Sequence, residues 1–191
     1  ELLSHSFFAR KPDIFYRYYK ELLMSTDAKP NDAHIALAQL EQMGKLSAVV
    51  TQNIDGLHQK AGSKNVFELH GSIHRNYCMK CHRFFDAEYV KNHSGIPYCP
   101  CGGMIKPDVV LYEEALDPDV MRGAAKHIQN ADMLIIGGTS LQVYPAAGFI
   151  DCYSGNKLVL INKSRTPYDG RADLVINAPI GQVFRQVMES L

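Results

Sequence analysis

Four cysteines in a short stretch constrain this chain more than any other feature. Cys78-Met79-Lys80-Cys81 is a CxxC knuckle, and Cys99-Pro100-Cys101 supplies a second, tighter pair. Two close pairs read as a metal site before they read as disulfides. Four thiolates around a tetrahedral zinc make a closed structural site with no position open for catalysis. The alternatives are two unrelated cysteine pairs, or His82 or His93 standing in for Cys99, because CxC is one residue short of the usual knuckle. From Ser72 to Lys106 apolar periodicity fades while cysteine, histidine, glycine and proline accumulate. Such a segment is too poor in aliphatic residues for a core of its own and reads as a metal-stapled insertion.

Outside that insertion the pattern alternates between helix and strand. Lys11-Pro12-Asp13 opens a helix running to about Met24, with proline and aspartate both suited to a first turn. Asn31 caps a second helix, which Gly44 is placed to end. Short aliphatic runs predict strands at 48–51, 66–69, 109–111, 133–136, 158–161 and 174–176, and helices are expected at 119–129, 146–153 and 181–191. Continuous aliphatic strands alternating with helices predict an α/β fold, a parallel sheet covered on both faces. Ligands of such sheets sit at the carboxyl ends of the strands. Gln52 to Asp55, His70, Thr139 and Ser140, and Asn162 and Lys163 fall there, so the pattern predicts a ligand cleft. Cys152, in an apolar context, reads as a core thiol.

Each of these polar groups also has a plainer reading. Gln52-Asn53-Ile54-Asp55 could read a ribose or a carboxamide, or could be an ordinary loop in which Asp55 caps a helix. His70, between a strand and a glycine, suits packing or capping as well as general-base work. Gly137-Gly138-Thr139-Ser140 could bring backbone amides near a phosphate but is not GxGxxG. Tyr16 and Tyr19, at helical spacing, read as half-buried packing. Lysine plus arginine equals aspartate plus glutamate at 20 each, which argues against nucleic acid and against a polybasic membrane anchor. The opening residues Glu1 to Ser6 lack the basic and apolar runs of a signal peptide, so a cytoplasmic protein is expected.

Taken in order, ELLSHSFF at Glu1–Phe8, TQNIDG at Thr51–Gly56, FELHG at Phe67–Gly71, the two cysteine pairs, KPDVVLYEE at Lys106–Glu114, GTSLQVYPA at Gly138–Ala146 and LINK at Leu160–Lys163 together resemble the sirtuin family of NAD-dependent protein-lysine deacylases. The resemblance implies a Rossmann-like NAD-binding domain made of residues 1–71 and 107–191, with 72–106 as an inserted zinc-binding module. It implies that His70 is the general base, with Asn53 and Asp55 beside it in the chemistry. Gln52, Asn53, Ile54 and Asp55 would line the ribose and nicotinamide pocket. Gly138, Thr139, Ser140, Asn162, Lys163 and Ile180 would contact the nucleotide. Val109, Val110, Leu111 and Tyr112 would pair with the acyl-lysine peptide by β-augmentation. In the implied reaction the acyl oxygen attacks the ribose carbon as nicotinamide leaves, and His70 takes a ribose hydroxyl proton.

Three departures qualify the resemblance. The family's substrate strand usually ends Phe-Gly-Glu, and here it reads Tyr112-Glu113-Glu114, which raises the question of crowding against the peptide. The second cysteine pair is shortened. A Gly-rich opening that would cradle the pyrophosphate has no counterpart before Glu1, so these 191 residues are expected to bind NAD weakly and to be marginally stable. Sirtuins that favour acidic acyl chains resemble one another in a Tyr-x-x-Arg pair. Tyr16 and Tyr19 match it with the arginine lost, so neutral acyl groups are expected. The competing functions are a non-catalytic, zinc-stapled peptide-binding module and an ADP-ribosyltransferase on the same fold.

Overall fold

In a computed structural model, which describes residues 2–24, 27–142 and 144–191, the chain forms seven α-helices and eight strands among the described residues. Glu1 and Val143, which fall within two of the motifs above, lie outside the described residues. In order the elements are α1 (His5–Arg10), α2 (Pro12–Leu22), α3 (Asp32–Gln42), β1 (Val49–Thr51), α4 (Leu57–Ala61), β2 (Val66–Glu68), β3 (Gly71–Cys78), β4 (Phe84–Phe85), α5 (Ala87–Asn92), β5 (Ile105–Val109), α6 (Pro118–Gln129), β6 (Leu134–Gly137), β7 (Leu158–Ile161), β8 (Leu174–Ile176) and α7 (Ile180–Glu189). A 3₁₀ turn at Ala146–Cys152 replaces the α-helix expected there. The chain divides into two compact units.

The first unit comprises residues 1–28, 51–56 and 68–117. Its sheet is antiparallel, ordered β4-β3-β5, with a register shift in β3 between Ser72 and Asn76. The strand expected at 109–111 ends instead at Val109, and Ile105 to Val109 form it. Pro107 is tolerated there because β5 is an edge strand. The cysteine-rich stretch gains its core from elsewhere in the sequence. Phe8 from α1, and Phe15, Tyr16 and Tyr19 from α2, pack into one cluster with Ile73, Cys78, Val90, Cys99, Ile105 and Leu111. Phe8 and Phe15 meet edge-on, with ring centroids 5.0 Å apart, and Phe15 stacks on Tyr19 at 5.5 Å. Tyr16 and Tyr19 are both 0% exposed, and the Tyr16 hydroxyl donates to the Ile105 carbonyl. These tyrosines are therefore core residues rather than half-buried surface.

The second unit comprises residues 29–50, 57–67 and 118–191. β6, β7 and β8 form a parallel sheet in that order. Alternation along the strands serves two faces. Val159, Ile161 and Ile176 pack with α3 and α7 through Ala33, Ala36, Val183 and Phe184. Leu158, Leu160 and Val175 point the other way, onto Leu141, Ile150 and Tyr153. This is the covered parallel sheet that the aliphatic runs predicted. Asn31 caps α3 as expected, its side chain accepting from the Ala33 amide at 3.0 Å and the His34 amide at 3.3 Å. Because that cap satisfies donors with no intrahelical partner, Asn31→Ala is expected to cost about 1 kcal/mol and Asn31→Gly a few tenths. Chemical denaturation midpoints of the two variants would check the ranking.

Candidate functional site

The Gln52–Asp55 loop leaves the end of β1 and is held by the start of the next hairpin. The Leu69 amide donates to the Thr51 carbonyl at 2.9 Å, and the Ile73 amide to the Ile54 carbonyl at 3.0 Å. Thr51 Oγ1 accepts from the Asn53 amide at 3.0 Å, which sets the turn. His70 lies between the two backbone struts. Its Nδ1 is 3.1 Å from the Gln52 carbonyl, an atom that can only accept, so Nδ1 carries the proton of the neutral ring and Nε2 keeps its lone pair. The His70 carbonyl accepts from the Val110 amide at 3.0 Å. At Gly71 the backbone passes so close to β5 that a Cβ would sit 1.9 Å from the Asp108 carbonyl oxygen, and φ is +73°. Only glycine can follow His70 here. The first unit thus brings Gln52, Asn53, Ile54, Asp55 and His70 together on one scaffold.

Arg75 ties the same region together, and the sequence reading overlooked it. Its guanidinium donates to Glu68 at 2.6 Å and to Asp108 at 2.7 Å. Burial alone would lower its pKa, but the two carboxylates hold it above the ordinary arginine value. The signal in the sequence was only a charged residue on a strand between two acidic motif positions.

The Val109–Tyr112 segment is committed mainly to the chain itself. The Val110 amide bonds to His70, the Leu111 amide to the Glu114 carboxylate at 2.9 Å, and the Tyr112 amide and carbonyl to Leu3 and His5. Glu113 has φ +77°, the left-handed region glycine favours. Its carboxylate turns back to accept from the Ser6 amide and hydroxyl at 2.9 and 3.0 Å. The side chain is therefore tethered to α1. Glu114 also accepts from Lys106 Nζ at 3.1 Å and is paired with His5. Burial would raise its pKa, but the Leu111 amide, His5 and Lys106 lower it on balance.

The second unit gathers another set at the carboxyl end of its parallel sheet. Gly138, Thr139 and Ser140 follow β6, and the Gly138 amide bonds the Ile161 carbonyl at 3.1 Å. Asn162 and Lys163 follow β7, with the Asn162 amide on the Ile176 carbonyl at 3.1 Å. Ile180 begins α7 and reaches Gly137. Cys152 is half-buried, and none of the five cysteines is in a disulfide.

The four cysteine sulfurs converge, and the shortened CxC pair does not prevent it. Their sulfurs all lie within 4.8 Å of one another. Cys78 is 3.4 Å from Cys101, and Cys81 is 3.6 Å from Cys99. Thiolates at about 2.3 Å from one tetrahedral ion are separated by roughly 3.8 Å, so the set fits zinc. Neither His82 nor His93 belongs to it. Although burial alone would raise the Cys78 pKa, the backbone N–H groups of Cys81 and Lys80, with the neighbouring thiols of Cys101 and Cys81, bring it down to about 6. That favours the thiolate a metal requires.

These features define an α/β protein with a ligand edge of the nucleotide-binding kind and a four-cysteine module. The family model described as Sir2 family matches residues 1–145, and the chain belongs to that family. The NAD-dependent protein deacetylase of Clostridium perfringens is 62% identical over 191 residues, covering 99% of this chain and 78% of its own. That of Clostridium acetobutylicum is 60% identical over 98% of this chain and 77% of its own. Among solved structures, Sir2 with a p53 peptide and NAD+ matches with a TM-score of 0.92 at 42% identity, over 98% of this chain and 81% of that one. Sir2Tm bound to a propionylated peptide matches at 0.93 and 41% identity, over 99% and 83%. No helix among the described residues is long and apolar enough to cross a membrane.

Elemental analysis is expected to return one zinc per chain. Cys78 and Cys99 are also members of the aromatic core, so Cys78→Ser should lose the metal and melt the first unit together. A metal-free protein, or a disulfide within the set, would remove the assignment.

Proposed function

We propose that this protein removes acetyl and other neutral acyl groups from protein lysines with consumption of NAD, releasing nicotinamide and an O-acyl-ADP-ribose. The observation that carries this reading is the state of His70, with Nδ1 held by the Gln52 carbonyl and Nε2 left basic, in a chain 62% identical to an NAD-dependent protein deacetylase. When bound, NAD supplies an electrophilic ribose carbon. His70 Nε2 accepts the proton of a ribose hydroxyl. Gln52, Asn53, Ile54 and Asp55 orient the nicotinamide and its ribose, with Asn53 and Asp55 beside the reacting bond. Gly138, Thr139, Ser140, Asn162, Lys163 and Ile180 hold the rest of the nucleotide, and the place of the first five at the carboxyl ends of parallel strands, with Ile180 opening α7 against Gly137, supports this.

The acyl-lysine peptide is bound along Val109, Val110, Leu111 and Tyr112. The tethered Glu113 supports that role, because its left-handed backbone mimics glycine and its side chain is folded onto Ser6. The similar structures bound to an acetylated and to a propionylated peptide support neutral acyl chains. Residues 72–106 act as the zinc-binding module and residues 1–71 with 107–191 as the nucleotide-binding remainder. Zinc, held by Cys78, Cys81, Cys99 and Cys101, supplies structure and no chemistry, because four thiolates leave no open position. Thiolate ligation also suits a cytoplasmic, reducing location.

In the intact protein His70→Ala is expected to keep NAD affinity and the thermal midpoint while turnover of an acetyl-lysine peptide falls roughly 10²–10⁴-fold. Turnover within a factor of about two of wild type would mean that His70 is not the base. In direct competition an acetyl-lysine peptide should be consumed ahead of its succinyl counterpart, and the reverse order would overturn the preference for neutral acyl groups.

A further inference from the structure

The loop that follows β1 is held by a regular series of donors. The Leu69 amide, His70 Nδ1 and the Ile73 amide take the carbonyls of Thr51, Gln52 and Ile54 in turn. The last strut is a second histidine. His74 Nε2 lies 2.9 Å from the Asp55 carbonyl. That oxygen can only accept, so the ring carries its proton on Nε2, the opposite tautomer from His70. The same ring occupies the space beside the next residue. Gly56 has φ +69°, and a Cβ there would meet His74 Cδ2 at 2.7 Å. One imidazole therefore holds the Asp55 carbonyl by a hydrogen bond and fills the space that a side chain on Gly56 would need. The ring's own backbone is set in turn, because the His74 amide donates to Oγ of the buried Ser72 at 3.2 Å, at the point where the strand register shifts. Holding that carbonyl restrains rotation of the Asp55–Gly56 peptide plane, and with it the Asp55 ψ and Gly56 φ that turn the loop.

We propose that His74 is a positioning residue that sets the Asp55 turn for nucleotide binding. The inference rests on the assignment of Gln52–Asp55 to NAD made above. His74 makes no contact with the reacting atoms in this role. It acts through the Asp55 peptide, so its loss weakens the nucleotide complex more than the chemical step.

The test uses the intact protein, NAD and an acetyl-lysine peptide, with His74→Ala, His74→Gln and Asp55→Ala compared with wild type. One lost hydrogen bond predicts that His74→Ala raises KM for NAD about 3- to 10-fold, with kcat changed less than about 2-fold. His74→Gln, whose side-chain amide can donate to the same carbonyl, should recover most of that loss. A merely structural role would instead lower the thermal midpoint and kcat with KM unchanged, and glutamine would not rescue it; that pattern overturns the proposal. If Asp55→Ala raises KM for NAD while His74→Ala does not, the positioning role alone is overturned. If Asp55→Ala leaves KM unchanged, the assignment of the loop to NAD fails, and the inference falls with it.

Discussion

β3 runs from the Gly71 corner to the first zinc thiol, and the first unit is built around that strand. At its amino end the loop that carries Gln52 to Asp55 is tied down by backbone amides and two imidazoles. At its carboxyl end Cys78 joins the four-sulfur cluster and the aromatic core at once. An extended strand of this length spans roughly 25 Å. The metal is thus far from His70 along the chain, yet it anchors the strand on which His70 depends. Loss of metal should be felt at the site through the position of a strand rather than through charge.

The sheet alone would not hold this region together. A segment rich in cysteine, glycine and proline buries little aliphatic surface, and a metal constrains it only at four points. The missing apolar volume comes from α1 and α2, whose aromatic rings arrive from the far end of the sequence. Edge-on and stacked ring contacts contribute about 0.5–1.5 kcal/mol each beyond the area they bury. The Tyr16 hydroxyl, buried with them, finds the Ile105 carbonyl, which avoids the cost of a buried donor left unmade. Helices and metal therefore act as two halves of one stabilising device, which is why the contacts group residues 1–28 with the cysteine stretch.

What the sequence revealed depended on whether burial followed polarity. β7 and β8 fall where aliphatic runs placed them, and Asn31 caps α3, because those elements obey the usual rule of apolar residues inside. β3 went unseen because it breaks that rule. Ser72 and Asn76 are buried polar residues, and Asn76 is kept there by bonds from Nδ2 to the Ile73 and Phe85 carbonyls. The register shift between them erases the period-two pattern as well. The aliphatic Val109-Val110-Leu111 run drew the strand expectation past the end of β5, a strand that holds Pro107 because it lies on the sheet edge. Spacing favoured the four-cysteine set but left His82 and His93 open because of the short CxC pair, and the convergence of the four sulfurs decides between them.

Glu113 shows how a departure from a family pattern can preserve what the pattern provides. A non-glycine residue in the left-handed region costs on the order of 1 kcal/mol. Two hydrogen bonds from Ser6 to the Glu113 carboxylate are available to offset it, each contributing roughly 0.5–1.5 kcal/mol net. The exchange keeps a glycine-like backbone and adds a tether that glycine could not supply. Leu3 and His5 are bonded to the Tyr112 backbone beside it, so the turn and the start of α1 are fixed to each other at several points. A loop fixed in this way has little further freedom left to lose in any complex. Glutamate here therefore gives a turn that is already ordered, where glycine would leave it intrinsically free.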